Sequence, residues 1–222
     1  LCSMSWLQDN TFLYVESGVP CAKVAKEAAI KDRGGLEFLI GIPGTIGGAL
    51  RMNAGAMGGE IWDFVEEVDT INSLGEIKAL AKSEFLPSYR HVEGPSTWFM
   101  SARLSLPDSA NGDGVRRIQS IMAKRRETQP IGKYSCGSVF TNPNGDFAGR
   151  LIESCGLKGC RIGGAVVSNT HANFILNDRC ASASDIEKLI THIGAIVFGE
   201  TGIVLKPEVQ IVGDSITKET II

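Results

Sequence analysis

Alternating apolar and polar positions predict most of the strands in this chain. The clearest case is the segment 98–106, where every even-numbered residue is apolar. This pattern is typical of a half-buried strand in an antiparallel sheet. Shorter apolar runs predict further strands at 11–15, 68–71, 165–167 and 173–177. The tail 203–212 also predicts a strand, but Pro207 interrupts it and indicates a sheet edge or a bulge.

Apolar residues three or four positions apart predict the helices. One begins at Pro20 and ends at Gly34-Gly35, a second covers 115–126 and a short third covers 147–155. Basic residues surround the apolar face of the second helix. Such a run is usually a solvated face, and binding of phosphate is the alternative.

The cleanest helical pattern lies in the last fifth of the chain. Apolar residues recur along one face from Ile186 to Val197. Ser184 and Glu187 have the spacing of a capping box at its start, and Gly199 follows as a stop. We expect this helix to pack in the core.

The segment 107–114 (PDSANGDG) is dense in turn-forming residues and is the best candidate linker. It predicts two domains, 1–108 and 109–222. A chain of 222 residues is long enough for either one large domain or two modest ones. Hydrophobic residues make up 43% and charged residues 21%, as in soluble globular proteins. A net charge of -3 gives no basic footprint for nucleic acid.

Cysteine usage bears on compartment and metal binding. Six cysteines are scattered without a C-x-x-C pair, and the chain has only three histidines. This pattern argues against a zinc site and against a disulfide-dense secreted scaffold, so we expect a reducing cytoplasm and no metal. No stretch has the length and apolarity of a membrane span, and we expect no signal peptide.

The segment 41–59 contains seven glycines among its 19 positions. In the interior of a helix or strand each glycine costs roughly 0.5 to 1 kcal/mol, so we expect neither element here. Its backbone N–H groups can cradle a diphosphate or lie against a flat ring. The alternative is a glycine-rich turn that allows close packing. The pattern matches neither G-x-G-x-x-G nor G-x-x-x-x-G-K-[ST].

Three polar residues are candidates for chemistry, and each has a plain alternative. Ser138 follows Gly137 and can project from a strand end into a pocket, or lie in an ordinary turn. Arg90 is either a solvated loop charge or a fixed cation for a carboxylate. Glu208 beside Pro207 is either an exposed strand residue or a carboxylate with a controlled direction.

A series of short motifs runs through the chain in order. They are Gly35-Leu36-Glu37-Phe38, 41–48 (GIPGTIGG), 52–56 (MNAGA), Tyr89-Arg90, Gln129-Pro130, 137–143 (GSVFTNP), 148–153 (AGRLIE), 156–159 (GLKG), 161–165 (RIGGA), 171–174 (HANF) and 207–209 (PEV). Each motif is weak by itself, but the ordered set covers nearly the whole chain. The set resembles the UDP-N-acetylenolpyruvoylglucosamine reductases, also called UDP-N-acetylmuramate dehydrogenases.

The resemblance implies an α+β fold: the remainder of a FAD-binding domain of the vanillyl-alcohol-oxidase (PCMH) type, then a C-terminal α+β substrate-binding domain. It implies FAD, reduced by NADPH, and a small-molecule substrate, UDP-N-acetylglucosamine enolpyruvate. In the family mechanism the flavin delivers hydride to C3 of the enolpyruvyl group and a proton then reaches C2. The product, UDP-N-acetylmuramate, is a peptidoglycan precursor. We expect a monomeric cytoplasmic enzyme without nucleic-acid or membrane partners.

The resemblance also gives roles to the three candidate residues. Ser138 is expected to donate the proton, and Arg90 and Glu208 to bind and polarise the substrate carboxylate. A serine hydroxyl can serve only if it is positioned against a strongly basic carbon, which hydride addition generates. Arg90 supplies positive charge where negative charge develops, whereas Glu208 helps only if it is protonated or hydrogen-bonded.

The binding residues implied by the resemblance come from both halves of the chain. Tyr89, Arg126 and Asn142 are expected at the substrate. The residues expected to bind FAD are Gly41, Ile42, Pro43, Gly44, Thr45, Ile46, Gly47, Gly48, Asn53, Ala54 and Gly55.

The chain departs from the family pattern in several places. Thr128 and Thr141 stand where many relatives have lysine, and Gln210 where many have arginine, so contacts to the substrate diphosphate are expected to differ. Arg125 and Arg126 are candidates to compensate. No insertion forms a tyrosine-bearing lid, which indicates the lidless second type. The G-G-G-S-N-L-L segment near the start of relatives is lacking, so we expect a missing N-terminal part and weak FAD retention.

Two other functions remain alternatives. The chain can be a truncated, non-catalytic UDP-sugar-binding fragment without a working flavin site, or an oxidase of the same fold. The joint occurrence of Ser138, Arg90 and Glu208 favours the reductase over the oxidase. Flavin content would separate the reductase from the binding fragment.

Overall fold

The computed structural model describes residues 1–7, 10–110 and 112–213. The chain divides into two compact units, Leu1–Arg125 and Arg126–Ile222. The predicted functional domains, 1–108 and 109–222, stay a prediction.

The first unit combines a five-stranded sheet, two short hairpins and helices. Its elements in chain order are β1 (Met4–Leu7), β2 (Phe12–Glu16), α1 (Cys21–Ile30), α2 (Ile46–Arg51), β3 (Gly55–Ala56), β4 (Gly59–Glu60), β5 (Val65–Ile71), β6 (Ile77–Ala81), β7 (Leu86–Ser88), β8 (His91–Glu93), β9 (Trp98–Ser105) and α3 (Asp113–Thr128). The sheet has the strand order β1-β2-β9-β5-β6, and the two hairpins are β3–β4 and β7–β8. Helix α3 contains the boundary between the units.

Strand β9 is the centre of this sheet, and it confirms the clearest sequence prediction. It pairs antiparallel with β2 on one side and with β5 on the other. Ala102 and Leu104 on its core side are 1% and 0% exposed, whereas Trp98 at its start is 63% exposed. The apolar side of α1, including Val24 and Ala28, belongs to the same core.

The second unit has a four-stranded antiparallel sheet of order β10-β13-β12-β11 with its own core. Its elements are β10 (Ser135–Ser138), α4 (Ala148–Ser154), β11 (Arg161–Ile162), β12 (Ala165–Val167), β13 (Phe174–Asn177) and α5 (Ala183–Thr201). Leu189, Ile193 and Val197 on one face of α5 are at most 1% exposed. The apolar stripe predicted for this helix is therefore confirmed as core.

The predicted caps of α5 are wrong. Ser182, not Ser184, caps the helix: its Oγ accepts the Asp185 N–H at 3.1 Å, and the Asp185 carboxylate accepts the Ser182 N–H at 3.0 Å. The helix continues through Gly199 and ends at Gly202, whose φ is +72°. A residue with left-handed backbone dihedrals is needed where the helix ends, and glycine adopts them readily. Gly199 lies within the helix and does not end it.

Three further predictions need correction. Helix α1 ends at Ile30, before Gly34-Gly35, and the glycine-rich segment contains a short helix, α2, despite its composition. Residues 203–213, which the structure describes in full, do not form the predicted strand. They contribute only an isolated β-bridge between Pro207 and Phe140. Pro207 has no N–H to donate, which prevents a regular ladder there.

Within the described ranges, no helix is long and apolar enough to cross a membrane. The same residues form no cluster of three or more His, Cys, Asp or Glu side chains that could hold a metal ion.

Candidate active site

Ser138 ends strand β10 immediately after a bulge. Ser135 lies opposite Leu176 and Ser138 opposite Phe174, so β10 is one residue longer than its partner over this stretch. The irregularity contains Gly137, whose φ of +82° is a conformation that glycine adopts readily. Because a bulge redirects the side chains beside it, Gly137 sets the direction from which the Ser138 hydroxyl projects.

The backbone after Ser138 is held by the buried side chain of Asn173. Asn173 Oδ1 accepts the Phe140 N–H at 3.0 Å, and Nδ2 donates to the Phe140 carbonyl at 2.8 Å. The backbone carbonyl of Asn173 accepts the Val139 N–H at 2.9 Å. Asn173 is 4% exposed, and its amide therefore continues the strand ladder where β10 ends.

Glu208 is held beside the same segment. Its N–H donates to the Val139 carbonyl at 2.8 Å, and the Thr141 N–H donates to the Lys206 carbonyl at 2.9 Å. Residues 206–208 thus run alongside 139–141. The backbone of the second unit brings Glu208 next to the residue that follows Ser138.

Asn142 has a structural contact in addition to its predicted role at the substrate. Its Oδ1 accepts the N–H of Ala148, in the first turn of α4, at 3.1 Å. The side chain is exposed. Arg126, the first residue of the second unit, is also exposed.

Arg90 lies in the first unit, in the two-residue turn of the β7–β8 hairpin. Its φ is +56°, which is unusual for a residue with a long side chain. Its Nη1 donates to the Gly55 carbonyl at 3.2 Å, and its guanidinium carbon lies 5.2 Å from the ring centroid of Tyr89. Tyr89 and Arg90 line a cavity of about 420 Å³ together with Glu60, Asp63 and glycines of the β3–β4 hairpin. The guanidinium is thus fixed on a strained turn beside an open space.

Two N–H groups of the glycine-rich segment are bonded within the fold. The Ile46 N–H donates to the Val19 carbonyl at 3.0 Å and the Gly47 N–H to the Ser17 carbonyl at 2.8 Å. Both donors are therefore used within the fold. The Gly41 carbonyl accepts a hydrogen bond from Arg125 Nη1, so Arg125 is engaged inside the first unit.

Other parts of the segment do fit a flat ligand. A Cβ atom added at Gly44 or at Gly48 would meet no atom within 4 Å, so both backbones face open space. Thr45 and Gly47 line a cleft of about 940 Å³, a size in the usual range for small-molecule sites. The residues present therefore fit FAD by close approach of the backbone.

The remaining residues of the predicted FAD set lie in three different settings. Ile46 and Asn53 are 0% and 1% exposed and Ala54 is 7% exposed, so their side chains belong to the interior. Gly55 lines the smaller cavity with Arg90. Ile42 is half-buried and Pro43 is exposed. Roles of these residues toward FAD stay predictions.

Two residues important for this geometry did not stand out in the sequence. Asn173 appears there as the start of a strand and within the motif 171–174, without a role of its own, and Glu60, which contacts Asn53, is one acidic residue among many. For Asn53, the residue type itself was an indication of a special backbone conformation. Its φ is +40°, and asparagine tolerates a positive φ better than most residues.

Two family models match this chain, and curated relatives resemble it over most of its length. Residues 129–212 match the family model described as UDP-N-acetylenolpyruvoylglucosamine reductase, C-terminal domain, and residues 3–81 match the model described as FAD binding domain. The UDP-N-acetylenolpyruvoylglucosamine reductase of Legionella pneumophila (strain Corby) is 52% identical over 217 residues, which are 97% of this chain and 70% of that protein. That of Methylococcus capsulatus (strain Bath) is 52% identical over 91% of this chain and 67% of the relative.

A solved structure is similar to this chain in fold. The crystal structure of UDP-N-acetylenolpyruvylglucosamine reductase from Thermus caldophilus matches with a TM-score of 0.79 and 35% identity, covering 89% of this chain and 71% of that one. The expected α+β architecture, a FAD-binding domain followed by a substrate-binding domain, is confirmed. The chain belongs to the UDP-N-acetylenolpyruvoylglucosamine reductase family.

Proposed function

We propose that this chain reduces UDP-N-acetylglucosamine enolpyruvate to UDP-N-acetylmuramate with FAD and NADPH, in the synthesis of peptidoglycan precursors. Family membership supports this activity. The single structural observation that carries it is the ladder in which Glu208 N–H bonds to Val139, directly after Ser138. A hydroxyl and a carboxylic group held on one rigid backbone suit proton delivery beside a carboxylate.

FAD, once reduced by NADPH, supplies the hydride that the enolpyruvyl double bond needs. Gly44, Thr45, Gly47 and Gly48 are the residues we expect to hold it, because their backbone borders the large cleft or open space. The chain's own catalytic work is then to orient the substrate and to move one proton.

In this proposal, Arg90 holds the substrate carboxylate. Its guanidinium is oriented by the hydrogen bond to Gly55, and Arg90 lines the cavity that a ligand carboxylate would enter. A fixed cation lowers the energy of negative charge that develops on C2 and on the carboxylate. Tyr89 borders the same cavity, and we assign it, with Arg126 and Asn142, to the rest of the substrate.

Ser138 Oγ donates the proton to C2. The hydroxyl is a weak acid, so its position has to supply what its acidity does not. The bulge at Gly137 and the bonds from Asn173 to Phe140 fix that position. Glu208, anchored through its own N–H, stabilises the enolic intermediate by a hydrogen bond.

The enzyme's setting is the finer part of the proposal. We propose a monomer in the cytoplasm, without nucleic-acid or membrane partners. The six cysteines are all free thiols, which suits a reducing compartment, and the net charge of -3 is weakly negative.

The test is consumption of NADPH by the full chain, supplemented with FAD, in the presence and absence of the enolpyruvyl substrate. We expect consumption only with the substrate, and one product molecule for each NADPH. Equal consumption without the substrate would indicate an oxidase. Binding of UDP-sugar without any flavin-dependent turnover would indicate a binding fragment, and either result overturns the proposal.

A further inference from the structure

One buried side chain links three parts of the first unit. Asn53 Nδ2 donates to Glu60 Oε2 at 2.6 Å and to the Ser88 carbonyl at 3.1 Å. These two bonds use both hydrogens of the amide. Asn53 follows helix α2, Glu60 ends strand β4, and Ser88 ends strand β7. At 1% exposure, Asn53 is a structural bridge within the protein interior.

The bond from Asn53 to Ser88 holds the residue that precedes the turn containing Arg90. Ser88 pairs with His91, and this pair closes the two-residue turn. Arg90 in the turn has a φ of +56°, a conformation that persists only where the surroundings enforce it. The bond from Asn53 to Ser88 is such a constraint on the backbone.

The guanidinium of Arg90 is fixed to the same short hairpin. Arg90 Nη1 donates to the Gly55 carbonyl, and Gly55 pairs with Glu60 across β3–β4. The β3–β4 hairpin thus holds Arg90 in two ways. Glu60 and Asn53 hold the backbone of its turn, and Gly55 holds its guanidinium. Glu60 N–H in turn donates to Asp63 Oδ2 at 3.1 Å, which anchors the hairpin.

We propose that Asn53 and Glu60 are positioning residues for Arg90 and act on the substrate carboxylate only through it. This inference rests on the proposed function, in which Arg90 binds that carboxylate. It gives Asn53 a role different from the direct contact to FAD that the sequence predicts. Paired hydrogen bonds from a guanidinium to a carboxylate need a fixed direction, so a loosened turn would weaken recognition of this group alone.

The variant that tests the bridge is Asn53→Gly. Glycine accepts the φ of +40° and removes both hydrogen bonds without adding backbone strain. Binding is measured by calorimetry on the enzyme with oxidised flavin, in which no turnover occurs. The ligands are UDP-N-acetylglucosamine enolpyruvate and UDP-N-acetylglucosamine, which lacks the carboxylate.

We expect Asn53→Gly to weaken binding of the enolpyruvyl ligand about tenfold, the value of one charge-assisted hydrogen bond, and to leave the other ligand unchanged. Glu60→Gln retains an acceptor oxygen and should restore most of the preference that Glu60→Ala loses. In an Arg90→Ala background, Asn53→Gly should cost nothing more. An equal loss in both backgrounds, or loss of bound flavin with the carboxylate preference intact, would overturn the proposal.

Amide hydrogen exchange gives a readout that does not depend on the proposed function. Asn53→Gly should raise exchange across 86–93, whereas Asn72→Gly should not. Asn72 is a matched control, because its Nδ2 also donates to a glutamate, Glu76, at 2.8 Å, but in an exposed turn. Unchanged exchange at 86–93 in Asn53→Gly would refute the bridge itself. If the wild type instead showed no preference for the enolpyruvyl ligand while exchange responded, the proposed function would fail and the bridge would stand.

Discussion

The segment after Ser138 and the turn at Arg90 are each held by a buried asparagine, but in different ways. Asn173 uses its acceptor and its donor on one residue, Phe140, and so replaces a strand partner. Asn53 uses only its donor, divided between Glu60 and Ser88. Its Oδ1 has no hydrogen-bond partner among the described residues. The first arrangement completes a ladder, and the second links three elements at one point.

This difference predicts different consequences of mutation. Removing Asn173 leaves two buried backbone groups of Phe140 without partners, so stability of the second unit should fall most. Removing Asn53 leaves one carbonyl and one carboxylate near the surface, where water can replace the amide. The segment after Ser138 is therefore held by bonds on which the stability of the second unit depends, and the turn at Arg90 is held by a local contact.

The largest effect should come from Asn173→Ala. We expect a loss of about 3 kcal/mol in the free energy of unfolding, because the Phe140 N–H and carbonyl both become unpaired in the core. Urea unfolding of the variant measures it. Asn177→Ala is the matched control: Asn177 Oδ1 accepts one exposed N–H, from Ala181, and its loss should cost far less. Equal losses in the free energy of unfolding for the two variants would contradict the distinction between a buried and an exposed asparagine side chain.

A smaller effect separates strain from function at Arg90. Arg90→Gly and Arg90→Ala should both lose carboxylate recognition, but the glycine variant should be about 1 kcal/mol more stable, because only alanine keeps a Cβ in the left-handed conformation. Thermal unfolding of both variants makes the comparison. A glycine variant no more stable than the alanine variant would mean that the turn stores no strain.

The smallest effect concerns pH and the second unit only. His171 Nδ1 accepts the Asn173 N–H at 3.2 Å, and burial, with a smaller contribution from Lys158, lowers the pKa of His171. The neutral form is thus favoured in the fold. Its stabilisation is fully present above the unfolded value and is lost as pH falls through the lowered folded pKa.

His171→Asn should flatten this dependence, because the asparagine oxygen can accept the same N–H without titrating. The free energy of unfolding at about pH 7.5 and about pH 5.5, on either side of the usual histidine pKa, should differ less in the variant than in the wild type. The same difference in both proteins would exclude His171 as its source.

The sequence was sufficient for elements that depend on regular periodicity. Strand β9 and the apolar face of α5 were predicted because their burial repeats every two or every three to four residues. The caps of α5 were not, since Ser182 and Ser184 carry the same chemistry and only the backbone path selects between them. The strand predicted for the tail 203–212 does not form, because Pro207 has no N–H to donate to a strand ladder.

The candidate site was less predictable than the fold. Ser138, Arg90 and Glu208 emerged from the ordered resemblance, and the structure adds how Ser138 and Glu208 are held near each other in the second unit. The amides of Ile46 and Gly47 could not be excluded as ligand donors from composition, since their partners, the carbonyls of Val19 and Ser17, lie more than twenty positions earlier in the chain. Long-range hydrogen bonds leave no local pattern in a sequence.

The central claim is that Ser138 delivers the proton after the flavin has been reduced. Rapid mixing of a Ser138→Ala variant separates the two half-reactions, with Ser154→Ala, on helix α4, as the matched control. We predict that NADPH reduces the flavin of both variants at the wild-type rate, while reoxidation by the enolpyruvyl substrate slows about 100-fold or more in Ser138→Ala alone. Reoxidation of Ser138→Ala at the wild-type rate, with UDP-N-acetylmuramate formed, would contradict the account.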